Sequence, residues 1–235
     1  GYDSLQTGIT ILPLSMGLFF FALLGASLAA RYSPKRIVEI GLIGMLIGEV
    51  LLIAFTGPSL QSAGFAVALA LVGAGLGLLA SQLGNVIMSS VAPERGSEAG
   101  GLQGTAQNLG ASLGTALVGS ILIASLVTNF QTAVLADPAL AGVSSQIAAA
   151  AEKNANFVST EQVRASAEAA GLSPAQVDAI VTEYADAQIA ALKAAFASIA
   201  LFALLALWYV RRLPTRATGD EPEAALPTPS GAGTG

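Results

Sequence analysis

GITILPLSMGLFFFALLGASLAA, residues 8–30, carries no charged side chain. A helix rises about 1.5 Å per residue, so roughly 17–25 mostly apolar residues cross about 30 Å of hydrocarbon. This stretch is therefore long enough and apolar enough to span a bilayer. Working outward, the windows 37–56, 63–90, 99–127 and 191–210 pass the same test. Five such stretches predict an all-α integral membrane protein. Four spans occupy 1–128, a polar segment covers 129–190, a last span follows, and 213–235 form a tail.

Composition agrees with that reading. Hydrophobic residues make up 54% of the chain and charged residues 11%, and the mean hydropathy is +0.69. The 26 glycines are spread through the apolar runs, where small residues let helices approach closely. Cys and His are both absent. Thiolate metal sites, disulfides, the commonest metal ligand and the commonest proton shuttle are excluded together. Proton chemistry must then run on Asp or Glu. The spans also hold no paired carboxylates for acid–base catalysis, so nothing points to an enzyme.

Charge placement predicts orientation. Arg31, Lys35 and Arg36 sit in the first short connection, Arg95 in the third, and Arg211, Arg212 and Arg216 after the last span. Short loops rich in Lys and Arg stay inside, which puts the C-terminus in the cytoplasm and 129–190 outside the cell membrane. The outer segment holds seven acidic residues, Asp137, Glu152, Glu161, Glu168, Asp178, Glu183 and Asp186. Within it, Ser159-Thr-Glu-Gln162 is a capping-box pattern that opens a helix, and Gly171 closes that helix. Ser173-Pro174 opens a second helix, and no stop signal separates it from the last span. The reading is an outer helical hairpin. The tail after Arg216 lacks apolar periodicity and is expected to be disordered. The opening at Gly1, without Met or a signal-peptide pattern, is read as the C-terminal part of something longer.

Polar and small residues inside the spans are the candidate functional groups. Glu49 lies well within the second span beside the close-packing pair Gly44 and Gly48. An ionised carboxylate there costs several kcal/mol, so it is neutral, paired or facing a water-filled cavity. It is either a proton-coupling carboxylate or a group reaching headgroups or a neighbour's hydroxyl. Gln82 and Asn85 in the third span, and Thr105, Asn108 and Ser112 in the fourth, form polar stripes. Each stripe either lines a solute path or bonds to another helix. Gly110 and Gly114 give the fourth span a flat face. Gly73-Ala-Gly75-Leu-Gly77 is not a nucleotide loop, because no strand precedes it and it lies inside an apolar helix.

Together these residues resemble a family. Leu71-Val-Gly-Ala-Gly-Leu-Gly77, Ser89-Ser-Val-Ala-Pro-Glu94-Arg-Gly96-Ser-Glu-Ala-Gly100-Gly101 and Asn108-Leu-Gly110-Ala-Ser-Leu-Gly114-Thr-Ala116 are similar, in this order, to the C-terminal half of major facilitator superfamily transporters. The likeness is greatest to the fourteen-span drug:proton antiporter branch. Gly8-Ile-Thr-Ile-Leu-Pro13 resembles the opening of an earlier helix of that branch. Arg31, Lys35 and Arg36 fall where its basic cytoplasmic motif repeats, with Ala30 for the usual Asp and Ser33 for the usual Gly. The resemblance implies proton-coupled export of drug-like or amphipathic solutes by alternating access, with the proton as coupling ion and no other cofactor. It implies as partners a small-molecule substrate, the lipid bilayer and a missing N-terminal half of the same chain, and no nucleic acid. The alternative is a sensor or accessory subunit that uses the outer hairpin.

Overall fold

A computed structural model describes residues 4–89, 91–153 and 156–212. Among them every regular element is helical, and five helices are long and apolar enough to cross a membrane. The chain is an all-α membrane protein. Helix α1 covers Ser4–Leu28, α2 Pro34–Phe55 and α3 Ala63–Ser89. Helices α4 (Gly96–Ala136) and α7 (Pro174–Arg212) are far longer, with α5 (Ser144–Lys153) and α6 (Thr160–Ala169) between them. The predicted tail, with Arg216, lies outside the described residues.

Local chemistry sets the helix ends. Helix α2 begins at Pro34, three residues before its apolar window, because a proline at the first helical position has a preset φ and needs no hydrogen-bond partner. At α6 the Ser159 hydroxyl accepts from the Gln162 N–H at 3.2 Å, and the Gln162 side chain accepts from the Ser159 N–H at 3.1 Å. Both halves of the expected capping box are present. Gly171, with φ +76°, ends the same helix. Its N–H donates to the Glu168 carbonyl and the Leu172 N–H to the Ala167 carbonyl, the paired bonds of a Schellman cap. Ser173 and Gln176 then repeat the capping box at the start of α7.

Packing runs as a row. Helix α1 lies on α3, α3 on α2, α2 on α7, and α7 on α4. Glycines set the two closest approaches. A Cβ at Gly73 would fall on the Leu14 carbonyl of α1, and one at Gly77 on the Leu18 carbonyl. Gly75, between them in sequence, faces the other way, where a Cβ would meet the Gly41 carbonyl and Met45 of α2. One Gly-x-Gly-x-Gly run thus lets α3 touch a neighbour on each side. Lipid is as apolar as leucine, so such contacts hold through van der Waals packing rather than the hydrophobic effect.

Length separates the molecule into two zones. At 41 and 39 residues, α4 and α7 measure about 62 and 59 Å, twice the hydrocarbon thickness. The end of α4 pairs with the start of α7, covered by α5 and α6. This cap has an apolar core of Leu126, Phe130, Val134, Leu140, Ile180 and Tyr184. The Tyr184 ring meets Phe130 edge-on at 5.4 Å. Its hydroxyl accepts from the Val158 N–H at 3.0 Å and reaches the Asn156 carbonyl at 3.2 Å. At the opposite end, the Lys35 ammonium donates to the Arg211 carbonyl at 3.1 Å, and Arg212 stacks on Trp208 at 3.8 Å. Chain direction brings Arg31, Arg36 and Arg95 to that same end.

Candidate functional site

Glu49 is the most unusual side chain in the membrane-spanning part. It lies on the sixteenth residue of α2, only 3% exposed. Its Oε2 is buried with no hydrogen-bond partner among the described residues. The cause is packing on either side of it. Gly48 presses α2 onto α3, where a Cβ would strike Val72, and Leu52 one turn on belongs to a core with Phe65, Ala68 and Val72. An unpartnered buried carboxyl oxygen is rare in native structures, which makes Glu49 the candidate group of this part.

Gln82 is wholly buried. Its amide nitrogen donates to the Gly25 carbonyl of α1 at 2.8 Å and lies 3.0 Å from the Ser81 hydroxyl. Its Oε1 has no partner among the described residues. Of the two uses open to this side chain, it makes the interhelical bond. Gly25 permits this, because a Cβ there would collide with Ser81. The Asn85 side chain lies outside the described residues.

Thr105, Asn108 and Ser112 are exposed on α4. Thr105 donates to the Gly101 carbonyl of its own helix at 3.0 Å. Gly110 and Gly114 have nothing within 4 Å of a built Cβ, and neither does Gly44. The stripe and the flat face of α4 are therefore open, as are Leu102, Leu109 and Leu113 on the same half of the helix. Glu49, Gln82 and the α4 stripe stand on three helices, and α4 meets α3 only weakly. The structure does not gather them around one cavity. A cavity of about 750 Å³ between α1 and α3, lined by Thr10, Pro13, Phe20 and Gln61 among others, contains none of them. Among the described residues no cluster of Asp and Glu could hold a metal ion.

Sequence reasoning passed over Gly17, Gly25, Gly73, Gly75 and Gly77 as contact residues. The 73/77 pair has the same four-residue spacing as Gly44 and Gly48, so a signal was present. The Arg31, Lys35 and Arg36 group was marked by charge, and the structure seats it against the last turn of α7 through Lys35.

Comparison with known proteins adds a direction. The chain is 30% identical over 131 residues to a protein named multidrug resistance protein Stp of Mycobacterium tuberculosis, covering 56% of this chain and 24% of that one. It is 32% identical over 130 residues to the tetracenomycin C resistance and export protein of Streptomyces glaucescens, covering 54% of this chain and 23% of that one. The chain thus matches about a quarter of the length of these relatives. No family model and no solved structure matches it. This is a multi-pass membrane protein similar to resistance and export proteins.

Proposed function

We propose that the chain forms part of the C-terminal helix bundle of a drug:proton antiporter of the major facilitator superfamily, exporting drug-like or amphipathic solutes across the plasma membrane by alternating access. The observation that carries this reading is the similarity of about half of the chain to two proteins named for drug resistance and export, in a chain with five helices long and apolar enough to cross a membrane. On this reading the open faces of α1 and α4 meet the remainder of a longer transporter chain. Asn108, Ser112 and Thr105 line the solute path there, and Gln82 supports it from the α1–α3 contact. Glu49 is the proton-coupling carboxylate. The cationic end is cytoplasmic, so the C-terminus is inside and the cap outside. Rocking of two bundles about a midplane site is the general mode for such folds. No cofactor besides the proton takes part, and no nucleic acid.

The test is uptake of a fluorescent cationic dye into inverted vesicles that contain the full-length transporter. Wild type should move dye only while a proton gradient is imposed. Glu49→Gln should still pass dye downhill but lose its response to the gradient. Wild-type flux that ignores the gradient would overturn proton coupling. Coupling that survives in Glu49→Gln would remove Glu49 from the role.

A further inference from the structure

The cap contains a cleft that the transport reading does not use. Helix α5 packs on α4 and α6 on α7, and the space left between α5 and α6 measures about 690 Å³. Drug-sized ligands occupy pockets of roughly 300–1,000 Å³. Beneath the cleft lie the core residues Leu126, Ile180 and the edge-on ring pair of Phe130 and Tyr184, each at most 6% exposed. The walls mix short and longer side chains, Ile147, Ala150 and Ala151 on α5 and Gln162, Val163 and Ser166 on α6.

Its chemistry narrows the occupant. Among the described residues no Asp, Glu, Lys or Arg lines the cleft, although the surrounding cap is rich in acids. The nearest cation in sequence, Arg164, is paired with Asp178 at 2.8 Å. An ionic ligand would find no counter-charge inside. Ser166, Asn156 and Gln162 supply uncharged hydrogen-bonding groups at the edges. On the proposed orientation the cleft lies toward the outer end of α4, where Phe130 is about 51 Å along the helix from Gly96, against roughly 30 Å of hydrocarbon. The geometry points to a binding site for a neutral, drug-sized aromatic lipophile in the cap, between α5 and α6 and over the Phe130–Tyr184 pair.

The chain has no cysteine, so single cysteines can report occupancy. Ser166→Cys places a thiol on the cleft wall, and Glu168→Cys places one on the outer side of the same helix. Both native side chains are exposed. The full chain in lipid nanodiscs is treated with a water-soluble maleimide, with and without the neutral probe N-phenyl-1-naphthylamine. At a probe concentration about four times its dissociation constant, alkylation of Ser166→Cys should slow about fivefold and that of Glu168→Cys should not change. Adding Ala150→Trp, which fills the cleft from an exposed position on α5, should abolish the protection while leaving the unliganded rate at Glu168→Cys unaltered. The anionic relative 1-anilinonaphthalene-8-sulfonate should protect Ser166→Cys less than the neutral probe. No protection at Ser166→Cys, or equal protection at both thiols, would overturn the site. Equal protection by the anionic probe would overturn its preference for a neutral ligand.

Discussion

Removing one hydroxyl in the cap should loosen a whole segment. Tyr184 is 6% exposed, and its hydroxyl accepts the Val158 N–H at 3.0 Å while reaching the Asn156 carbonyl at 3.2 Å. Tyr184→Phe keeps the ring and its edge-on contact with Phe130. It leaves a half-buried backbone donor without its partner, which costs about 1–3 kcal/mol. The second tie of the same segment, Gln188 Nε2 to the Val158 carbonyl at 2.8 Å, survives, so the middle of that range is expected. Local opening worth about 2 kcal/mol less raises exchange about 30-fold, since each 1.4 kcal/mol is tenfold. Hydrogen exchange of the peptide covering 156–163 should show that acceleration, while peptides from α2 and α3 stay unchanged. Tyr184→Ala also removes the ring and should cost about 3–5 kcal/mol, extending faster exchange across α5 and α6. Unchanged exchange at 156–163 in Tyr184→Phe would refute the claim that this hydroxyl pins the segment to α7.

Three further outcomes follow from the packing. Gly73→Leu drives a side chain into the Leu14 carbonyl and should prevent the α1–α3 contact, whereas Gly110→Leu meets open space in this chain; thermal melting in detergent should fall for the first and hold for the second. Gly171→Ala places a Cβ on a residue with φ +76° and should lower cap stability by about 1–2 kcal/mol, read by exchange in α6. Arg164→Ala breaks an exposed ion pair and should change cap stability by no more than about 1 kcal/mol, less as salt rises.

The spans were readable because bilayer thickness imposes a length, and a run such as 8–30 meets it without interruption. The caps of α6 and α7 were readable because Ser159, Gln162, Gly171 and Ser173 act within a few residues of themselves. Two features were not. Helix α4 continues from its apolar window to Ala136, through Thr128, Asn129, Gln131 and Thr132. Its hydropathy falls there although the helix does not end; Leu126, Phe130 and Val134 carry one face onward into the cap core. Helix α5 has no capping pattern, and its alanine run only acquires a meaning once α4 lies beside it. The glycines show the same limit. Four-residue spacing says that two small residues share a face, but not which helix approaches it, so Gly44 and Gly110 look like Gly73 in sequence and differ in surroundings. Glu49 was visible as a carboxylate in an apolar run; that one of its oxygens lacks a partner among the described residues depends on what α3 and α2 bury around it.

All of the functional reading requires the cationic end and the cap to face opposite sides of the membrane. Ala30→Cys and Glu168→Cys, both at exposed positions, can be labelled with a membrane-impermeant maleimide in intact cells expressing the full-length protein with any cysteine outside these 235 residues replaced by serine. The account predicts labelling of Glu168→Cys in intact cells and of Ala30→Cys only after the membrane is permeabilised. Labelling of Ala30→Cys in intact cells, with Glu168→Cys protected until permeabilisation, would contradict it.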